Sequence, residues 1–184
     1  MVSDMTERPS PFSVLSEMAV QFRRNARGLP LQEEIKTYWT GVGFTLGGIR
    51  FAAAMDEVAE VLTVPHYTRL PGVKPWVSGV ANVRGRLVPI VELGAFFGLN
   101  VRLDDRERRI LVVEYDDMLN GIVVDSVEGL QSFPVDEYQS DIPENISTDI
   151  APYVEGHYMA GGVPMSIFGV HELVSSESFM AVAS

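Results

Sequence analysis

The chain contains no cysteine. Disulfides, thiolate metal sites and a cysteine nucleophile are therefore excluded. Lysine is nearly absent as well, with only Lys36 and Lys74, so almost all positive charge is carried by arginine. Histidine occurs three times, at His66, His157 and His171. None of these has a second histidine or a carboxylate at a zinc-like spacing. The sequence holds no Gly-x-Ser-x-Gly elbow, no Gly-x-Gly-x-x-Gly and no glycine run leading to a P-loop lysine. Apolar runs such as Ile110 to Val113 fall far short of the roughly 20 residues that span a bilayer. The first eight residues carry no apolar signal segment, which points to the cytoplasm. These gaps predict a protein that is not an enzyme and that uses no metal or cofactor.

What is present is acidic and apolar. The formal net charge is −11, and 46% of the 184 residues are hydrophobic. The apolar share supports a packed interior. The charge repels phosphate backbones and anionic lipid, so the expected partners are proteins, with no nucleic acid and no direct membrane insertion. An OB-like barrel binding nucleic acid is the rival reading, but it needs a basic groove with stacking aromatics. The adjacent carboxylates Glu33-Glu34, Asp104-Asp105 and Asp116-Asp117 read as turn or surface residues. Neighbours on a strand point to opposite faces, which is poor geometry for acid–base catalysis.

Residues 1–40 read as a helical extension. Phe12, Leu15, Met18, Ala19, Phe22 and Ala26 recur at helical spacing, Arg23, Arg24 and Arg27 suit a helix C-terminus, and Gly28-Leu29-Pro30 stops the run. This helix either packs on its own domain or docks a partner. A second short helix is expected over Gln32 to Tyr38. From about Gly41 to residue 178 the pattern is that of strands. Hairpins are expected around Gly47-Gly48, Arg84-Gly85, Asp116-Asp117 and Gly161-Gly162. Single helical turns are expected at Ala95 to Gly98 and near His171 to Val174.

The strand region repeats itself, at about 42–98 and 108–174. A shift of about 69 positions lays Phe44-x-Leu46 and Ala52 to Val58 on Val113-x-Tyr115 and Gly121 to Val127. A shift of about 77 lays Trp76 to Gly79 and Leu87 to Leu93 on Tyr153 to Gly156 and Pro164 to Val170. Two copies of one hairpin unit imply two similar small β-barrels that share a core.

The stretch from Gly79 to Leu93 is the most informative. Asn82 can bond its own backbone at the turn, Gly85 permits positive φ, and Arg84 is lifted to the tip. Pro89 inside the following strand calls for an edge or a bulge. This stretch resembles the hallmark run of the CheW-like domain family. So do Phe44 to Phe51, Val58-Ala59-Glu60-Val61-Leu62, Leu70-Pro71-Gly72 with Trp76-Val77-x-Gly79, and Gly121 to Asp125 with Val127. The resemblance runs in order from Val42 to Val174. It departs from the family pattern at Val83, Glu92 and Gly94.

The resemblance implies a mainly β fold of two five-stranded barrels in a pseudo-twofold arrangement, with an N-terminal helix and a short terminal helix. It implies a non-catalytic adaptor that couples a methyl-accepting chemoreceptor to a CheA-type histidine kinase. The receptor's helical tip is expected in the groove between the two barrels, with Val58, Glu60, Gly79, Asn82, Val83, Arg84 and Gly85 around it. Val58 and Val83 would supply apolar contact, and Glu60 and Arg84 would set register through charge. The kinase is expected to dock through its own CheW-like regulatory domain. The N-terminal helix together with Trp39-x-Gly41 resembles the family members that control type IV pili and twitching. A flagellar chemotaxis adaptor is the alternative.

Overall fold

The structure, a computed structural model, describes residues 11–25, 36–99 and 107–182. The chain divides into two units, residues 1–35 and 36–184. The first contains helix α1 (Pro11–Asn25), on which Phe12, Leu15, Met18 and Val20 are exposed. The Gly28-Leu29-Pro30 stop lies outside the described residues, as does most of the second expected helix. The part of that helix within them is not helical, because Tyr38 opens a strand. Trp39 stacks on Phe133 and Tyr158 and covers Gly41, where a Cβ would meet the indole. Burying that indole draws the segment into extended pairing, and Tyr38 pairs with Pro134.

The second unit is mainly β. Its strands are β1 (Tyr38–Leu46), β2 (Ile49–Ala54), β3 (Val58–Thr63), β4 (Val77–Val83), β5 (Arg86–Glu92), β6 (Arg109–Tyr115), β7 (Met118–Val124), β8 (Ser126–Pro134), β9 (Val154–Ala160) and β10 (Val163–Phe168). Helices α2 (Leu93–Phe96), α3 (Val170–Ser175) and α4 (Glu177–Met180) are short. The strands form two five-stranded mixed sheets, β8-β1-β2-β10-β9 and β3-β6-β7-β5-β4. β8 was not expected. Only Phe133 is buried in it, Gly129 interrupts it and Pro134 ends it, so it lacks a strand-like alternation.

The two sheets do not coincide with the two copies of the sequence repeat. Each sheet takes the first hairpin of one copy and the second hairpin of the other. The exchange is exact at the level of register. The shift of 69 carries Phe44↔Phe51 onto Val113↔Asn120. The same shift carries Phe44↔Val127 onto Val58↔Val113 with the roles of the copies reversed. The two shifts together carry the parallel pair Ile90↔Gly121 onto Ile167↔Ala52. A pseudo-twofold relation follows, in which each copy completes the other's sheet.

Alternating side chains divide the interior into three. Phe44, Phe51, Val91, Leu111, Val113, Ile122 and Phe168 belong to a core shared by both sheets. Val88, Ile90, Ile110, Val112 and Val123 fill the inside of one sheet, and Ala52, Phe133, Tyr158, Met165 and Ile167 fill the inside of the other. Residues 110 to 113 thus face the private and the shared core by turns, as period-two geometry requires. A sheet buried on both faces reads as a continuous apolar run.

Both sheets roll until their outer strands meet. In the first sheet, Phe133 of β8 stacks on Tyr158 of β9 with ring centroids 4.8 Å apart. In the second, Glu60 of β3 reaches Arg84 at the end of β4 at 2.6 Å. The outer edges of β4 and β9 are each covered by a single bridge, to Thr68 and to Gln139. Pro89 sits on β5, which is an inner strand rather than an edge. The proline is tolerated because it faces Val80 in a non-hydrogen-bonded pair and the parallel ladder to β7 begins one residue later, at Ile90.

Candidate functional site

All four hairpins turn through two residues. Their central residues carry positive φ, as the mirror-image type I turn demands. In the first sheet both turns are Gly-Gly. In the second they are Arg84-Gly85 and Asp116-Asp117, so three side chains sit where glycine is favoured. Such residues cost free energy, and they cluster where a side chain is needed. The Arg84 turn is held by Asn82, whose Oδ1 accepts the Gly85 N–H at 2.8 Å.

Around this tip lies a charged rim. Arg84 donates to Glu60, Arg86 donates to Glu114 at 2.9 Å, and Arg86 also donates to the Asp117 carbonyl at 2.6 Å. Arg84 keeps 78% of its side-chain surface exposed while Glu60 keeps 23%. The guanidinium therefore has donors to spare, whereas the carboxylate is largely enclosed. Leu87, Met118 and Val61 are exposed beside these charges. Apolar residues within a polar rim are the composition of a protein-docking surface.

The structure separates the expected site residues by role. Glu60 and Arg84 come together, with Arg84 accessible and Glu60 largely enclosed. Asn82 and Gly85 shape the turn. Val83 is buried in the second sheet's own cluster, and Val58 is half-buried against the shared core. Val83 alternates with exposed Asn82, so its side chain points inward and presents nothing to the surface. Leu87 and Val61 are exposed apolar side chains on the same two strand pairs. Exposure could not be read from residue type, because both lie in runs as apolar as the core strands.

Gly79 has a backbone task. Its φ is +150°, and a Cβ would fall on the Thr68 carbonyl, which pairs with Val80 across an isolated bridge. Gly156 stands at the equivalent place in the other copy, and its Cβ would fall on the Gln139 carbonyl, which bridges to His157. The same requirement appears in both copies, so Gly79 serves the fold.

The departures at the end of β5 are also internal. Glu92 accepts from Ser78 at 3.1 Å and pairs with Arg108. Gly94 lies in α2 against Leu46 and Leu99. His157 is buried with Nδ1 2.9 Å from the Asp141 carbonyl, and His171 lies 3.7 Å from Glu57. Among the described residues no group of side chains is placed to hold a metal ion, and no helix is long and apolar enough to cross a membrane.

Comparison with known proteins agrees with this architecture. The family model described as the CheW-like domain matches residues 40–178. Protein PilI of Pseudomonas aeruginosa is 43% identical over 179 residues, covering 97% of this chain and 99% of that protein. Chemotaxis protein CheW of Bacillus subtilis is 27% identical, covering 79% of this chain and 92% of that one. The crystal structure of the scaffolding protein TtCheW from Thermoanaerobacter tengcongensis shares the fold, with a TM-score of 0.67 at 23% identity over 77% of this chain and 96% of that one. With its ordered motifs, its paired sheets and these matches, the chain belongs to the CheW-like domain family, whose members include scaffold and coupling proteins of chemotaxis.

Proposed function

We propose that this protein couples a methyl-accepting chemoreceptor to a CheA-type histidine kinase in the chemosensory system that controls type IV pili and twitching motility. The observation that carries the reading is the 43% identity to PilI across nearly the whole length of both chains, N-terminal segment included. The receptor's helical tip docks at the charged end of the second sheet. Glu60 and Arg84 set its register, Leu87 and Val61 give it apolar contact, and Val58, Gly79, Asn82, Val83 and Gly85 hold that surface in shape. A helix laid on such a surface needs apolar anchors flanked by fixed charges. The adaptor then biases the kinase according to receptor state, as a population shift.

Reconstitution of kinase autophosphorylation with receptor, with and without the protein, tests the coupling. Receptor-dependent kinase output should require the protein, and unchanged output sinks the proposal. Arg84→Asp should weaken receptor binding while leaving the fold intact. The likeness to chemotaxis proteins named CheW favours the flagellar reading as second choice. Deletion separates the two, since loss of twitching with normal swimming supports the pilus pathway and the reverse supports the flagellar one.

A further inference from the structure

We propose that a cleft at the start of β4 is an anion site that takes a glutamate side chain from an acidic segment of a protein partner. The cleft has a volume of about 320 Å³ and is lined by Tyr67, Arg69, Val73, Lys74, Pro75 and Ser78. Its two charged groups are both cations, in a chain of net charge −11. Arg50, Arg84, Arg86 and Arg108 each pair with a carboxylate of this chain. Among the described residues, the side chains of Arg69 and Lys74 have no such partner.

Lys74 is half-buried and Arg69 exposed at the cleft wall. The position of Lys74 is held by the main chain, since its N–H donates to the Val182 carbonyl at 2.9 Å. The equivalent place in the other copy is built differently. There Tyr138 donates its hydroxyl to the Glu155 carbonyl at 2.7 Å, while Tyr67, its counterpart beside the matching bridge, lines the cleft. Glu155 and Ser140 stand where Ser78 and Arg69 stand here. The cationic cleft is thus a property of one copy alone.

Leu70, Val73 and Pro75 also line the cleft, and the methylene stem of a glutamate can lie along them while its carboxylate meets the cations. A phosphate ion has no such apolar part. The site is separate from the Arg84 tip, because β4 carries the chain about 20 Å between Ser78 and Arg84 at roughly 3.3 Å per residue. It stands whether or not the receptor-docking reading holds.

The test is an NMR titration of the full chain with the acetylated, amidated peptide Leu-Glu-Glu-Glu, and separately with inorganic phosphate. The peptide should give saturable shifts at the Lys74 and Ser78 amides that weaken with added salt. Arg69→Gln with Lys74→Gln should weaken binding about tenfold, Arg69→Lys should largely retain it, and Arg84→Asp should leave it unchanged. Shifts that fail to saturate, or that persist in the double variant, overturn the proposal. Phosphate binding as tight as the peptide's overturns the assignment to a carboxylate.

Discussion

The two rolled sheets have the same strand order and the same register, yet their seams are closed by different chemistry. In the β8–β9 seam, Phe133 stacks on Tyr158, Trp39 packs on both and Tyr138 adds an edge contact. At the positions equivalent to Phe133 and Tyr158, the β3–β4 seam has only Val64 and Ala81. It is bridged at its end by the exposed pair of Arg84 and Glu60, whose counterparts in the first sheet are Gly161 and Gly129. The turns differ in the same sense, Gly-Gly against Arg-Gly and Asp-Asp. Aromatic burial is worth more than an exposed ion pair, which contributes about 0–1 kcal/mol. The lesson concerns the seams and turns: one sheet is closed by stacked aromatics and turns through glycines, while the other ends in an exposed ion pair beside strained turns that carry side chains.

That comparison can be attacked first through the core the sheets share. Phe168 touches Phe44, Phe51 and Phe97. Phe168→Ala should cost about 3–5 kcal/mol and lower the stability of both sheets together in one cooperative denaturant transition. Two separate transitions would show that the exchange of hairpins between copies does not couple them.

Next in size are the paired glycines. Gly79→Ala and Gly156→Ala should each lose about 2–3 kcal/mol, by urea unfolding, since each Cβ meets a backbone carbonyl that cannot yield. A Gly79→Ala variant of full stability that fails only in partner binding would break the equivalence of the copies and make Gly79 a contact residue.

Arg84→Gly rebuilds the tip as the Gly-Gly turn of the other sheet. Relief of positive φ offsets the lost ion pair, so stability should remain within about 1 kcal/mol of the parent. Receptor binding should fall all the same, in a pull-down with receptor signalling domain. A variant that keeps full binding removes Arg84 from the site.

The smallest effect concerns Glu155. Burial raises its pKa above the ordinary carboxylate value, with further upward pushes from Glu172 and Glu57. Its folded pKa lies above its unfolded one, so ionisation disfavours the fold and stability is lost as pH rises through that interval. Glu155→Gln should match the parent at pH about 4 and exceed it at pH about 7 by only a few tenths of a kcal/mol, since the group is just partly desolvated and solvent screens it. Its counterpart Ser78 has no such dependence.

Much of the fold was legible in the chain. The four two-residue turns announce themselves as Gly-Gly, Arg-Gly and Asp-Asp between apolar runs, because few residues accept positive φ. β8 was harder, since its exposed residues show no alternation. Yet the shift of 69 that aligns Val58 with Val127 also aligns Val61 with Leu130, so the repeat held a signal for it. Of the site, Arg84, Gly85 and Asn82 were legible from turn chemistry. The inward direction of Val83 and the exposure of Leu87 were not, because two faces of a strand in such a sheet are equally apolar.

The sequence by itself determined the strand content apart from β8, the turn positions, the two copies of one unit and the family, all of which depend on local pattern and on residues near one another in the chain. Only the tertiary structure decided that the copies exchange hairpins. Pairing β5 with β7 and β10 with β2 joins strands far apart in sequence, and local preference is blind to which partner a strand will take. It also decided that Arg84 meets Glu60, because that contact exists only once the sheet has rolled and brought its two outer strands together.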